Sequence, residues 1–262
     1  MRREDTLALY DRELRINAPL PGANFRYEHA GTILRLVGPS AEAHDNCVVF
    51  CRLDAAGADA AIAGEMDYFA SLDHAFEWKL HGHDEPADLA ERLLRHGFAA
   101  EPPETIVVRD LADEPPRPPA ALSIEVRRIG EPSELSALVS VQDEVWNDDH
   151  AWYGQALARE LAADAAQIEI LLAYAEARPV ATSLMRLHRG THFGSLWGAA
   201  TLPAFQRRGI YTALVERHVV TARAAGARLL TVDANDNSRP VLERVGFRSL
   251  VGVQGFVWRP PG

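Results

Sequence analysis

Four prolines fall between positions 115 and 119, inside the run Asp113-Glu114-Pro115-Pro116-Arg117-Pro118-Pro119-Ala120. Proline fixes φ and lacks an amide hydrogen, so this run enters neither a helix interior nor the middle of a sheet. The fold must be interrupted here, and 262 residues suffice for two units of ordinary size. The predicted division is residues 1–118 and residues 119–262. Charge changes at the same place. The whole net charge of −10 lies in residues 1–118, while residues 119–262 carry acid and base in equal number. One acidic half and one neutral half argue for two units with different tasks.

Hydrophobic residues make up 47% of the chain and charged residues 24%, which suits a packed core and excludes wholesale disorder. No apolar run reaches the roughly 20 residues that span a bilayer. Met1-Arg2-Arg3-Glu4-Asp5 leads into an amphipathic stretch rather than an apolar leader, and the chain reads as cytoplasmic. Its acidity disfavours nucleic acid and anionic membranes and favours a cationic small molecule. Cys47 and Cys51 sit at even spacing in a strand-like run, which puts both on one face. They are too far apart for a disulfide and lack the pattern of a zinc site, so both read as core filler. His81-Gly82-His83-Asp84 reads as a solvated turn rather than a metal corner, and no metal is expected.

Apolar spacing after the proline run gives a strand at 123–128, helices at 132–146 and 152–163, and strands at 168–176 and 179–186 joined at Ala177-Arg178. A strand at 193–202 stops at Pro203, and a long helix at 210–225 ends at Gly226. A strand at 228–233, a short helix at 238–245 and a strand at 251–258 complete the order β-α-α-β-β-β-α-β-α-β. The first half repeats part of this frame, with a strand at 47–53, a helix at 57–72, a strand at 75–81, a helix at 85–96 and a strand at 105–111. Leu93-Leu94-Arg95-His96-Gly97-Phe98 and Leu242-Glu243-Arg244-Val245-Gly246-Phe247 close matching helices. In each, glycine can take the left-handed turn that ends a helix while phenylalanine packs beneath it. A duplication explains both halves.

The informative stretch is Leu202-Pro203-Ala204-Phe205-Gln206-Arg207-Arg208-Gly209-Ile210-Tyr211. It leads from a strand through a basic turn into the long helix. First-turn N–H groups lack intrahelical partners and face the positive end of the helix dipole. Gly209 permits close approach of a ligand, and Arg207 and Arg208 add positive charge. The outline is that of a pyrophosphate cradle, without the Gly-Lys-Ser/Thr of a P-loop.

Gln206-Arg207-Arg208-Gly209-Ile210-Tyr211 resembles the Gln/Arg-x-x-Gly-x-Gly/Ala signature of the GNAT superfamily of N-acetyltransferases, with Tyr211 in place of the last small residue. The resemblance covers about residues 123–258 and includes Asn235 and the Gly246-Phe247 closure. It implies a mixed α/β fold, here two GNAT-like units in tandem with a degenerate, truncated first copy. It also implies acetyl-CoA as acyl donor, bound by the backbone of Ala200, Thr201 and Leu202 and by Gln206, Arg207, Arg208, Gly209, Ile210 and Tyr211, with Asn235 near the pantetheine arm. In the first half the equivalent turn contains Asp54 and Asp59 and no arginine, which would repel a pyrophosphate.

The reaction so implied is acetyl transfer to a small-molecule amine by direct attack. A lysine-like ammonium costs about 4–5 kcal/mol to neutralise at pH 7, so a proton acceptor is needed. The family's frequent tyrosine, five residues before the Gly-Phe phenylalanine, is here Leu242, and its fourth-strand acid is missing from Ser195-Leu196-Trp197-Gly198. Candidate substitutes are Asp233 or Glu144 as base and Tyr211 as proton donor. Asp233 can equally cap a turn. Asp148, Asp149 and His150 can attract a cationic acceptor or form a solvated loop. Trp146, Trp152 and Tyr153 can wall a pocket or pack between helices. The competing reading is a non-catalytic CoA-binding or scaffold protein that keeps the fold.

Overall fold

The computed structural model describes residues 1–112 and 124–261. The proline run and the predicted division at residue 118 lie outside the described residues. The first half begins with helix α1 (Arg3–Tyr10), which widens into a π-helical turn at Asp11–Ile16. Then come β1 (Arg26–Ala30), β2 (Ile33–Val37), β3 (Cys47–Cys51), α2 (Ala58–Ser71), β4 (Phe76–His81), α3 (Leu89–Arg95), β5 (Ala99–Ala100) and β6 (Glu104–Asp110). The second half runs β7 (Glu125–Ile129), α4 (Leu135–Trp146), α5 (Ala151–Asp164), β8 (Ile168–Ala175), β9 (Arg178–Leu187) and β10 (Phe193–Thr201). It ends with α6 (Ile210–Ala224), β11 (Leu229–Ala234), α7 (Arg239–Arg244) and β12 (Arg248–Trp258). The second half follows the predicted order. The β8–β9 turn lies one residue earlier than expected, at Glu176-Ala177, where both residues take positive φ (49° and 66°) as a tight hairpin turn requires.

Two compact units form, each discontinuous in sequence. One contains Met1–Ile106, Asp233–Asn237 and Ser249–Gly262, and the other Val107–Val232 and Ser238–Arg248. In the first unit the strands run β1-β2-β3-β4-β12, with β5 beside β12. Phe76 pairs with Trp258 and Trp78 with Phe256 across the β4–β12 ladder. All four face the helices, where Phe69, Leu93 and Phe98 complete the core.

Two readings of the first half are corrected. Cys47 and Cys51 do not share a face. A register shift in the β2–β3 ladder inserts an extra residue between them. Cys51 therefore joins Val48 in the core, whereas Cys47 pairs with Glu77 on the opposite side. The His81–Asp84 segment is a turn exposed at Gly82 and His83, but its two ends, His81 and the Asp84 side chain, are buried rather than solvated. Arg15, brought in by the π-helical turn, donates to both oxygens of Asp84 at 2.8 Å and to Asp11 at 2.9 Å. His81 lies buried beside Tyr10, its Nε2 3.4 Å from the hydroxyl. Among the described residues no cluster of His, Cys, Asp and Glu has the form of a metal site.

In the second unit the order is β11-β10-β9-β8-β7, with the end of β6 beside β11. Leu135, Leu138 and Leu157 of α4 and α5 pack on Ile168, Ile170, Leu172 and Leu184. Ile210 and Leu214 of α6 pack on Leu171, Ala173 and Ala181, the odd-numbered residues of β8 thus facing away from α4 and α5. Helix α6 is also fixed by buried polar contacts. Arg109 Nη1 donates to Glu216 at 2.8 Å, and His218 Nδ1 lies 2.6 Å from Glu169.

The two closures match bond for bond. Gly97 and Gly246 take φ of 86° and 91°. Phe98 N–H donates to Leu93 O and Phe247 N–H to Leu242 O, each at 3.1 Å, the six-to-one bond of a left-handed helix stop.

Two stability experiments follow. Glu216→Ala strands the buried Arg109 charge, whose Nη2 already has no hydrogen-bond partner. Equilibrium urea denaturation should show a loss of about 3–5 kcal/mol, with a much smaller loss when Arg109 is also replaced by Met. Burial depresses the His81 imidazole from 6.5 to about 2. The unfolded chain therefore takes up this proton first. Below pH 6.5 the site should remove up to ~1.4 kcal/mol of stability per pH unit, and His81→Gln should flatten the acid limb of the stability profile.

Candidate active site

The second unit opens in the middle of its sheet. The parallel β10–β11 ladder pairs Phe193 with Leu229, Gly194 with Leu230 and Ser195 with Thr231. Beyond that rung β10 bulges, its register with β9 shifting between Trp197 and Ala200. Trp197, Gly198 and Ala199 are exposed although they lie in an internal strand. Gly198 is required here. Its φ is +57°, and a Cβ at this position would run into the Tyr153 hydroxyl. Its carbonyl accepts from Gln142 Nε2 at 2.8 Å and from Thr182 Oγ1 at 2.9 Å. The result is a slot with exposed main chain along one wall.

The slot wall continues into the basic loop. One 3-10 turn, Pro203–Phe205, follows Leu202, and Gln206 Nε2 ties the loop back to Thr201 O at 3.1 Å. Arg207 takes φ +60° and Gly209 φ +82°, two left-handed residues that turn the main chain outward. Gly209 is the N-cap of α6, and no side chain caps the first turn. Ala200, Leu202 and Ile210 are buried beneath, while Gln206, Arg207, Arg208 and Gly209 are exposed. The Arg208 guanidinium lies 5.0 Å from the Phe205 ring centre, which holds it beside the turn. Uncapped amides, the positive end of the helix dipole and two guanidinium groups lie together at this turn, an arrangement that can receive an anion. Half-buried Tyr211 has its hydroxyl pushed up to about 12 by burial, so it keeps its proton at neutral pH.

The remaining candidates lie elsewhere. Glu144, on α4, is exposed and forms an ion pair with Arg178, both its oxygens 2.8 Å from Nη2. Asp148 and Asp149 are exposed and each accepts from a nearby backbone N–H. His150 is held by Asp143, whose Oδ1 takes its backbone N–H at 2.8 Å. Asp233 and Asn235 belong to the first unit. There the Asp233 carboxylate pairs with Lys79, and Asn235 Oδ1 accepts from Asn237 N at 3.0 Å. At the first unit's equivalent turn, Asp54 accepts the Gly57 N–H at 2.7 Å and Asp59 pairs with Arg92, so that helix start is already occupied by carboxylates. Trp146 and Trp152 do not pack between helices. They are 58% and 54% exposed.

Sequence reasoning missed three groups. Ser195 Oγ accepts from Trp197 Nε1 at 2.6 Å and lies 2.7 Å from His188 Nε2. Burial lowers His188 to about 4, so the ring is neutral and can take the serine proton. Thr231, opposite Ser195 at the end of the ladder, has a buried hydroxyl without a hydrogen-bond partner. Ser183, His218 and Glu169 stand in the order of a hydrolytic triad, with His218 Nε2 3.1 Å from Ser183 Oγ. All three are buried in the core, so they meet no substrate and instead hold α6 on the sheet. These groups come together through strand pairing, and no local sequence pattern marks them.

Residues 134–247 match the model of the acetyltransferase (GNAT) family. No curated protein matches the chain. A GCN5-related N-acetyltransferase from Kribbella flavida is similar over 98% of this chain and 95% of its own, with TM-score 0.70 and 16% identity. A tandem GNAT protein from the clavulanic acid biosynthesis pathway is similar over 99% and 96%, with TM-score 0.63 and 11% identity. A GCN5-related N-acetyltransferase from Sphaerobacter thermophilus covers 90% of this chain and 83% of its own, with TM-score 0.62 and 14% identity. The segment that holds the splayed strands and the Gln206–Gly209 turn thus resembles the acetyltransferase (GNAT) family, and the whole chain shares its mixed α/β fold with solved GNAT structures, a tandem GNAT protein among them.

Proposed function

We infer that the second unit transfers an acetyl group from acetyl-CoA to a small-molecule amine. The observation that carries this reading is the slot at Trp197–Ala199, which leads directly into the uncapped, basic start of α6. The residues fit the donor. Gly209 leaves space for phosphate, the first-turn amides and Arg207 and Arg208 suit a pyrophosphate, and exposed main chain suits an extended amide-bearing arm. Acetyl-CoA supplies an activated thioester and a thiol leaving group. Leu242 is fully buried and brings no hydroxyl to the site. Tyr153 is a second proton-bearing group at the bulge, its hydroxyl pushed up to about 12 by burial. Tyr211 and Tyr153 are the proton donors of this reading. Glu144 is engaged by Arg178 at the surface and is the weaker base candidate.

Two experiments test it. Gly209→Val puts a branched side chain where phosphate must approach, and Arg208→Glu reverses a local charge. Isothermal titration should show each weakening acetyl-CoA binding at least about tenfold, the scale of charge-assisted phosphate contacts. Unchanged affinity in both folded variants would exclude the loop as the cradle. Binding of acetyl-CoA without thiol release across an amine panel would support the non-catalytic reading instead. Asp233 stays the proposed proton acceptor, its carboxylate paired with Lys79. Asp233→Asn should lower turnover by ~10²–10⁴-fold at neutral pH, and the deficit should shrink as rising pH supplies free amine. A rate near wild type at pH 7 removes it from the reaction.

A further inference from the structure

Large aromatic side chains normally leave water on folding, because each buries 150–250 Å² or so of mostly apolar surface. The second unit exposes three of its tryptophans, Trp146 at 58%, Trp152 at 54% and Trp197 at 43%. The three gather around one glycine. Trp197 adjoins Gly198 in β10. Trp146 Nε1 donates to Gln142 Oε1 at 2.9 Å, and Gln142 in turn donates to Gly198 O. Trp152 lies 5.5 Å, centre to centre, from Tyr153, whose hydroxyl rests on Gly198. His150 adds a further ring 6.5 Å from Trp152.

The polar groups around this aromatic rim are already engaged. Gln142 is bound to Gly198, Thr182 and Trp146. Ser195 is bound to Trp197 and His188. Arg186 is neutralised by Glu160 through two contacts of 2.7 Å. A sugar-like acceptor needs directional partners for several hydroxyls, and these groups are committed to one another. What the rim offers is flat π surface, with the exposed carboxylates of Asp148 and Asp149 in the loop before Trp152. Such a surface attracts an ammonium through the ring quadrupole and stacks on a flat apolar ring.

We propose that the rim of Trp146, Trp152 and Trp197 binds the acceptor, and that the acceptor is an amine carried on an aromatic ring. This rests on the acyltransferase reading for its role as acceptor, but the ring-amine site itself does not depend on acetyl-CoA.

The test is fluorescence titration of the full-length protein without acetyl-CoA, using 2-phenylethylamine, spermidine and glucosamine. Trp78 and Trp258 are buried, so ligand-dependent quenching reports the exposed rings. Saturable quenching by 2-phenylethylamine should occur at concentrations at least tenfold below those needed for the other two amines. Trp152→Ala should weaken it at least tenfold with acetyl-CoA affinity unchanged, and Trp152→Phe should restore most of it. Equal or tighter binding of spermidine or glucosamine, no saturable quenching, or full affinity in folded Trp152→Ala would each overturn the proposal. Ring-amine binding without any acetyl-CoA binding would leave the site standing and refute the donor reading.

Discussion

A strand inside a sheet can leave its neighbour only if its main-chain groups find other partners, since a buried carbonyl or amide without one is costly. In the second unit that condition is met at Gly198. Gln142 and Thr182 satisfy its carbonyl, and Tyr153 packs where a side chain would stand. The bulge can therefore exist, the β10–β11 ladder can end at Ser195, and the wall of the slot can stay open. The basic loop, the slot and the exposed tryptophans all take their places from this substitution of side-chain partners for strand pairing.

The other fixed element is α6. Its N-cap Gly209 is exposed and no side chain caps its first turn, so its orientation must be secured further along. Buried charge does this. Glu216 meets Arg109 on β6, and two residues on, His218 reaches Glu169 on β8 and Ser183 on β9, with Thr221 also donating to Glu169 at 2.7 Å. Apolar packing alone lets a helix slide or rotate with little change in energy, whereas directional contacts to three strands define both position and rotation. The proposed anion site, built from main-chain amides, needs that definition, because the amides cannot be re-aimed by rotamer changes.

Local chemistry explains what could be read before folding. The Gly97-Phe98 and Gly246-Phe247 closures, the Gln206–Gly209 turn and the helix and strand order of the second half are short-range patterns, and the fold realises each of them. Failures share the opposite character. Cys47 and Cys51 separate because of a bulge whose cause lies in pairing with β2. Asp84 is buried because Arg15 arrives from 69 positions away. The β1–β2 hairpin and the exposure of Trp146 and Trp152 depend on what packs beside them. Within the site, the exposed basic turn ending in left-handed Gly209 was legible because glycine and arginine mark it locally, and the Ser195, His188 and Tyr153 environment was not, because only strand pairing assembles it.

Lys79 is the only lysine in the chain, and it is held by Asp233, with burial opposed by neighbouring carboxylates and its pKa raised in consequence. The proposed activity would put such a protein at risk of acylating itself, since a free amine anywhere on its surface is a competing nucleophile. Here every other cationic side chain that stays charged is a guanidinium, which does not give up its proton near neutral pH. The one side-chain amine is kept as an ammonium, whose lone pair is unavailable. Residue usage and one ion pair thus leave the chain with almost no side-chain target for the acyl transfer proposed for it.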